Sequence, residues 1–460
     1  MQLGAMMGRT GLGSAAGLSL QTYSLATRMT APNSRRYFLA RAAVAASSIA
    51  TTALCAGAAT ADERPTSPEG AAFEQGGPNA QLYGQAEGYP VPSRELAIAQ
   101  GNPWPPNYRV GAFSHLDAIY ATRSLHRAIT PSRFKRADAD VSYRFRRQHA
   151  SLVDYLSRRP VTGLLVVRDD SILFEHYQYG RTDADRLLGQ SMTKSLAGIL
   201  LGIAIADGAI GTVDDTPEMY VPGFKGTEYG RTPIRDLLHM SSGVDFGEER
   251  DGGRDLTRLW IDMVLGKGFT KKGTLNSIKQ FNRRIAPSGT RFHYASIEAD
   301  VIGVLLRHVL GKPLSVYMQE KLWQPMGAEA DATWLVDAEG IEVAHFGFSA
   351  VLRDYARLAR LLACDGAWES RQLIPADWMI AATTVQSPNH YLAPGKATRS
   401  LGYGYLLWVL PGTRRQFALL GLNGQRICID SASRLVLVHT ALEDSSEVWS
   451  MWSALVEQLG

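Results

Sequence analysis

The chain has 460 residues, a formal net charge of +4 and an apolar fraction of 45%. That apolar fraction excludes a wholly disordered chain, and three cysteines exclude a disulfide-stapled scaffold. At roughly 150 residues per domain the length allows about three domains, or one large domain with insertions.

The charge is concentrated at the start. Residues 1–61 hold five arginines (Arg9, Arg28, Arg35, Arg36, Arg41) and no acidic residue, which leaves 43 basic against 44 acidic side chains, a net of −1, in the rest. Ser34-Arg35-Arg36-Tyr37-Phe38-Leu39 resembles a twin-arginine export motif. A mildly apolar stretch, residues 42–59, follows it, and Ala59-Thr60-Ala61 offers a small-residue cleavage site. The stretch has too few strongly apolar residues for a retained membrane anchor. The expectation is a cleaved signal over residues 1–61 and a periplasmic or secreted mature protein. Its near-neutral body gives no reason to expect nucleic acid as a partner. Cys364 and Cys428 remain after cleavage, both in apolar surroundings that suit small core residues.

Residues 62–110 are rich in Pro, Gly and polar groups, as in Asn102-Pro103-Trp104-Pro105-Pro106, and read as irregular. Residues 62–150 as a whole read as an extension wrapped over the body. Within them, residues 113–127 show a helix-like apolar spacing. Residues 163–167 and 171–177 flank Asp169-Asp170 and read as a hairpin. Residues 191–206 form an apolar helix with no polar face after Ser195, so it belongs in the middle of the protein. Helices are expected over 233–240, 256–265, 300–310 and 354–363. Strands are expected over 403–409, 417–421, 426–430 and 434–440, with a last helix over 447–459. This order implies an α/β (α+β) fold with one antiparallel sheet built from both chain ends and flanked by helices. Residues 151–215 and 331–460 supply the sheet domain, and 216–330 a mostly helical insertion.

Three short motifs carry chemistry. The first is Ser191-Met192-Thr193-Lys194. Ser-x-x-Lys is short enough to recur by chance, and Ser132-Arg133-Phe134-Lys135 is a second copy, but a polar run follows that one. Ser191 instead opens the buried helix. Residues three apart share a helix face, so Lys194 reaches the Ser191 hydroxyl. A helix N-terminus and burial both disfavour a protonated lysine, which favours its use as a base. The second motif is Tyr294-Ala295-Ser296, where a phenol can relay a proton. Tyr155-Leu156-Ser157 is a second copy of that pattern. The third is Leu419-Leu420-Gly421-Leu422-Asn423-Gly424-Gln425. Asn-Gly between apolar runs reads as a hairpin turn. The backbone before the turn offers an N–H that can join that of Ser191 in an oxyanion hole, and Gly421 allows a close approach.

Together and in this order, the three motifs resemble those of the serine β-lactamase and penicillin-recognising superfamily. Within it the chain is most similar to the 6-aminohexanoate-dimer hydrolase family, through Phe113-Ser114-His115-Leu116, Ser191-Met192-Thr193-Lys194-Ser195-Leu196, Phe292-His293-Tyr294-Ala295-Ser296, Asp331-Ala332-Thr333-Trp334 and Asn423-Gly424-Gln425. The resemblance implies a β-lactamase/transpeptidase-like fold and an acyl-enzyme hydrolase acting on small linear amides. It implies Ser191 as nucleophile, Lys194 as general base, Tyr294 as proton relay, and the N–H groups of Ser191 and Leu422 as the oxyanion hole. Ser296, Gly421 and Asn423 are candidates for the substrate pocket, and a homodimer is implied.

The departures are informative. Leu419 replaces the lysine of Lys-Thr-Gly, which in β-lactamases and carboxypeptidases helps hold the substrate carboxylate. Asn423 stands where the family's Gly-Gln segment suggests histidine, and Ser296 matches the family rather than the asparagine of penicillin-recognising relatives. Gly-x-Ser-x-Gly and the zinc-hydrolase signatures are absent, so neither a metal nor an organic cofactor is expected. His239, within Leu237-Leu238-His239-Met240-Ser241-Ser242-Gly243, reads as scaffold. The alternatives are a carboxylesterase on the same scaffold, a β-lactamase, or a catalytically silent penicillin-binding-like protein.

Overall fold

Period-two alternation with both faces apolar dictates the centre of the molecule. Leu164 and Val166 point into one core layer, and Leu165 and Val167 into another. Cys428 opposes Ile427 and Ile429 in the same way, as Leu435 and Leu437 oppose Val436 and Val438. A strand buried on both faces must lie inside a sheet covered by helices on each side.

The structure is a computed structural model in which residues 70–84, 106–248, 254–265 and 272–460 are described. The expected signal, its cleavage site and residues 62–69 and 85–105 of the extension lie outside them. Pro65–Gly460 forms one compact unit that includes the helices between residues 216 and 330.

The first strands are β1 (Ala72–Phe73), β2 (Thr122–Leu125), β3 (Lys135–Arg136), β4 (Ser142–Phe145) and β5 (Gln148–Ser151). Next come β6 (Val161–Arg168), β7 (Ser171–Tyr177), β8 (Leu187–Leu188), β9 (Ala332–Leu335) and β10 (Phe348–Ala350). Two short strands, β11 (Ala367–Trp368) and β12 (Arg371–Gln372), precede β13 (Gly402–Tyr403) and β14 (Trp408–Val409). The last are β15 (Gln416–Gly421), β16 (Gln425–Asp430) and β17 (Leu435–Ala441). The main sheet runs β1-β7-β6-β17-β16-β15-β14-β13, with β3 also on β7. Its central pair, β6 with β17, joins the two ends of the chain.

Five helices cover the sheet or carry the site: α1 (Leu152–Arg158), α2 (Thr193–Ala206), α3 (Ser296–Leu310), α4 (Leu352–Ala363) and α5 (Glu447–Leu459). Residues of α1 and α5 cover one face of the sheet, with Tyr155, Met451, Trp452 and Leu455 against Leu164, Val166 and Leu437. Residues of α4 cover the other, with α2 and α3 packed together in the same core. As its sequence demands, α2 is buried all round from Thr193 to Ala204.

Several expectations need correction. The sheet is not single: β2-β9-β10-β8 form a second, four-stranded sheet. The main sheet is not wholly antiparallel, because β1 and β3 run parallel to β7 at its outer edge. The extension is therefore not only a wrap, since it supplies strands to both sheets. Residues 113–127 are not one helix. His115 leaves helical geometry (φ −136°, ψ 47°), and residues 122–125 are drawn into pairing with β9. Residues 403–409 are a tight hairpin rather than one strand, with Leu406 at φ +54° in its turn.

Trp452 is 2% exposed and its indole N–H donates to Gln416 Oε1 at 3.1 Å. Trp452→Ala leaves a large cavity between α5 and the sheet. A loss of about 3–5 kcal/mol is expected from urea unfolding.

Candidate active site

The second sheet delivers Ser191 to its place. The Gly189 N–H donates to Phe348 O at 2.9 Å directly after β8. Gln190 then takes a left-handed conformation (φ +52°), which a non-glycine residue adopts only under constraint. Thr193 supplies the constraint: its hydroxyl donates to Gln190 O at 2.7 Å and accepts the Phe348 N–H at 3.1 Å. The result is a tight turn over Gln190–Met192, with Ser191 at its crest, that leads into α2.

Lys194 lies in the first turn of α2 and is 1% exposed. Its Nζ donates to Ser191 Oγ at 2.8 Å and to the His345 carbonyl at 3.1 Å. It also lies 5.0 Å from the centre of the Tyr294 ring. All three partners are uncharged. The His345 carbonyl is held in turn by Asp300 on α3. Asp300 Oδ1 accepts the N–H groups of Ala344 and His345 at 3.0 and 3.2 Å, and Oδ2 lies 2.7 Å from His345 Nδ1.

Tyr294 enters from the segment before α3. Its ring stacks on Trp408 (5.6 Å between centres, 22° between planes) and meets Tyr403 edge-on at 6.3 Å. Tyr403 and Trp408 are cross-strand partners of the β13–β14 hairpin, 4.8 Å apart. The hairpin is thus an aromatic clamp on Tyr294. Its turn is tied to α2, because Ser195 Oγ donates to Leu406 O at 2.6 Å.

The end of β15 runs past the Ser191 turn. A Cβ at Gly421 would lie 2.5 Å from Gly189 O and 2.8 Å from Gln190 Cβ, so only glycine fits. Leu422 follows and is 64% exposed. Asn423 (φ +61°) and Gly424 (φ +86°) then form the expected turn into β16. The Asn423 Nδ2–H donates to Leu442 O at 3.3 Å. Leu419, in place of the lysine, is 1% exposed and packs beside Met192 and Leu196.

The structure therefore brings Ser191, Lys194, Tyr294, Gly421 and Leu422 to one place. Ser296 is differently engaged. It is 2% exposed, its hydroxyl donates to Glu248 Oε1 at 2.5 Å, and its N–H donates to Oε2 at 2.7 Å. Two residues on, burial raises the Glu298 carboxyl well above the ordinary range, and its Oε1 accepts from Ser242 Oγ at 2.6 Å. The other Ser-x-x-Lys copy is dispersed: Lys135 lies on β3, exposed and 3.3 Å from Asp170. Tyr155, of the other Tyr-x-Ser, is fully buried against His439. His239 packs on Tyr405 beside a cavity of about 20 Å³, and burial pushes it down to about 4. Among the described residues no group of three or more His, Cys, Asp or Glu is placed to hold a metal. Sequence reasoning missed Asp300, His345, Tyr403 and Trp408. The aspartate at the head of the apolar run over 300–310 was the one available signal.

His439 is also held neutral, pushed down to about 4 by burial, against an ordinary value of about 6.5. Between these values the unfolded chain binds a proton that the native state refuses, so stability falls as pH drops from about 6.5 towards 4. Urea unfolding across this range is expected to show that slope, shallower in His439→Gln. A second expectation concerns Gly421→Ala. Its methyl must displace the Gly189–Ser191 turn, and a displacement of about 1 Å is enough to lower kcat about 100-fold. Steady-state hydrolysis checks it.

The Beta-lactamase family model matches residues 149–446. The 6-aminohexanoate-dimer hydrolase of Paenarthrobacter ureafaciens is 26% identical over 280 residues, covering 60% of this chain and 71% of that protein. An Escherichia coli K12 protein provisionally named a D-alanyl-D-alanine carboxypeptidase is 24% identical over 190 residues, covering 36% of this chain and 42% of its own length. Among solved structures, a Bacillus anthracis protein provisionally assigned as a 6-aminohexanoate-dimer hydrolase superposes with a TM-score of 0.68 at 22% identity, over 76% of this chain and 93% of that one. The chain belongs to the beta-lactamase family and is a serine hydrolase of that superfamily.

Proposed function

We propose that the protein hydrolyses small linear amides through an acyl-enzyme on Ser191. The observation that carries this reading is the 2.8 Å contact between Lys194 Nζ and Ser191 Oγ, with Nζ buried among uncharged partners. In the neutral amine form the same contact runs in reverse, with the hydroxyl donating to Nζ. Ser191 Oγ then attacks the carbonyl carbon while Nζ takes its proton. The N–H groups of Ser191 and Leu422 receive the developing oxyanion; one such donor contributes about 10²–10³ in rate. Tyr294 relays the proton from Nζ to the departing nitrogen as the C–N bond breaks. Water then attacks the ester, giving its proton back along the same path, and Ser191 is released. Positioned acid–base groups of this kind contribute about 10²–10⁴.

The preference for an amide rests on the relay, since an amine leaves only when protonated and an alkoxide needs less help. The similarity to the Paenarthrobacter hydrolase supports a linear substrate. Leu419, buried where a carboxylate-binding lysine would stand, disfavours β-lactam and D-alanyl substrates. Export through the Arg35-Arg36 motif belongs to the same proposal and is supported by the acid-free first 61 residues.

A serine-reactive phosphonate is expected to add its mass to the peptide carrying Ser191, and Ser191→Ala to abolish both labelling and turnover. Labelling at Ser132, or none, overturns the assignment. Tyr294→Phe is expected to lower kcat on amides by about 10²–10⁴, and less on matched esters, with KM little changed. Equal losses on both substrates would place Tyr294 outside leaving-group protonation.

A further inference from the structure

The hairpin turn that carries Leu422 is fixed by a side chain outside the three motifs' expected roles. Backbone pairing between β16 and β17 ends at Arg426 with His439. Gln425, the next residue towards the turn, is 1% exposed and extends the ladder with its carboxamide. Its Oε1 accepts the Ala441 N–H at 3.1 Å, and its Nε2 donates to Ala441 O at 2.7 Å. The same Nε2 reaches Leu422 O at 3.1 Å and Asn423 O at 3.3 Å. One amide thus ties two carbonyls of the turn to the end of the central strand.

Other groups secure the pad on which the turn rests. His439 Nδ1 lies 2.7 Å from Gly424 O, and its Nε2 lies 2.9 Å from the Tyr155 hydroxyl. Arg109 Nη1, from the N-terminal segment, donates at 2.9 Å to Leu442 O, the carbonyl that also accepts from Asn423. Leu422 itself is largely exposed, so packing of its own side chain does little to hold its peptide in place. A hydrogen-bond donor at an oxyanion hole is useful only if it is held before charge develops.

We propose that Gln425 is a positioning residue that fixes the Leu422 peptide in its oxyanion-binding orientation. The inference rests on the proposed function, because it takes Leu422 N–H as an oxyanion donor. Loss of the carboxamide frees Leu422 O and Asn423 O, lets the turn rotate, and weakens the bond made to the tetrahedral intermediate. Substrate binding at the ground state is left nearly intact.

The test uses the full chain, a chromogenic ester and phenylboronic acid, which forms a tetrahedral adduct on a reactive serine. Gln425→Met keeps the volume without the hydrogen bonds, and Gln425→Ala removes both. In each, kcat is expected to fall about 10²–10³-fold with little change in KM, and boronate affinity to fall in parallel. Unchanged kcat, or a lower kcat with unchanged boronate affinity, overturns the positioning role. Circular dichroism and thermal unfolding identify a variant that fails to fold, and the other variant then decides. Ser191→Ala run alongside separates the two layers. If it retains turnover the proposed function fails; if it is inactive while the Gln425 variants match the parent, only this inference fails.

Discussion

A lysine buried beside a serine hydroxyl, with a carbonyl and an aromatic face as its other neighbours, is the constraint around which this protein is arranged. An amine placed there tolerates no drift, because each lost contact leaves a polar group desolvated without compensation. Much of the molecule serves to prevent drift. The apolar α2 fixes the root of the side chain, Asp300 fixes the His345 carbonyl, and the β13–β14 hairpin fixes the Tyr294 ring. The strained Gln190 lifts Ser191 to meet the amine. Strain of this kind costs about 1–3 kcal/mol and persists because Thr193 and Phe348 hold the turn from two sides.

The parts legible in the sequence are those with a local signature. The Ser191–Lys194 spacing, the Asn423-Gly424 turn, the alternating central strands and the helix of residues 447–459 each follow from a short window. The second sheet did not show itself, because its strands are two to four residues long and paired across large separations. Residues 122–125 carry no strand pattern of their own; β9 imposes it. The aromatic hairpin was hidden for a related reason, since Tyr403 to Val409 looks like one apolar run until Leu406 reverses it.

The supporting shell was the least legible part. Asp300 acts on His345 and thereby on Lys194, and neither link has a periodicity that a window can detect. Gln425 was legible as the last residue of the third motif but carried no role of its own, yet its carboxamide stands in for a rung of backbone pairing. Ser296 was legible as a motif member but not as a ligand of Glu248. Side chains that replace backbone partners are visible only once the strands are in register.

The order of strands has a consequence for biogenesis. The site's sheet is closed by β17, and β6 has no inner neighbour without it. On the ribosome, residues 161–168 and the Ser191 turn emerge long before residues 435–441 exist. The central contacts are therefore among the most non-local in the chain, and such contacts form slowly. The half of the structure that carries Ser191 must wait, without its central pairing, for the last few dozen residues. A chain released early by a nonsense codon near its end would carry Ser191, Lys194 and Tyr294 and still lack the strand that pairs with β6 at the centre of the sheet.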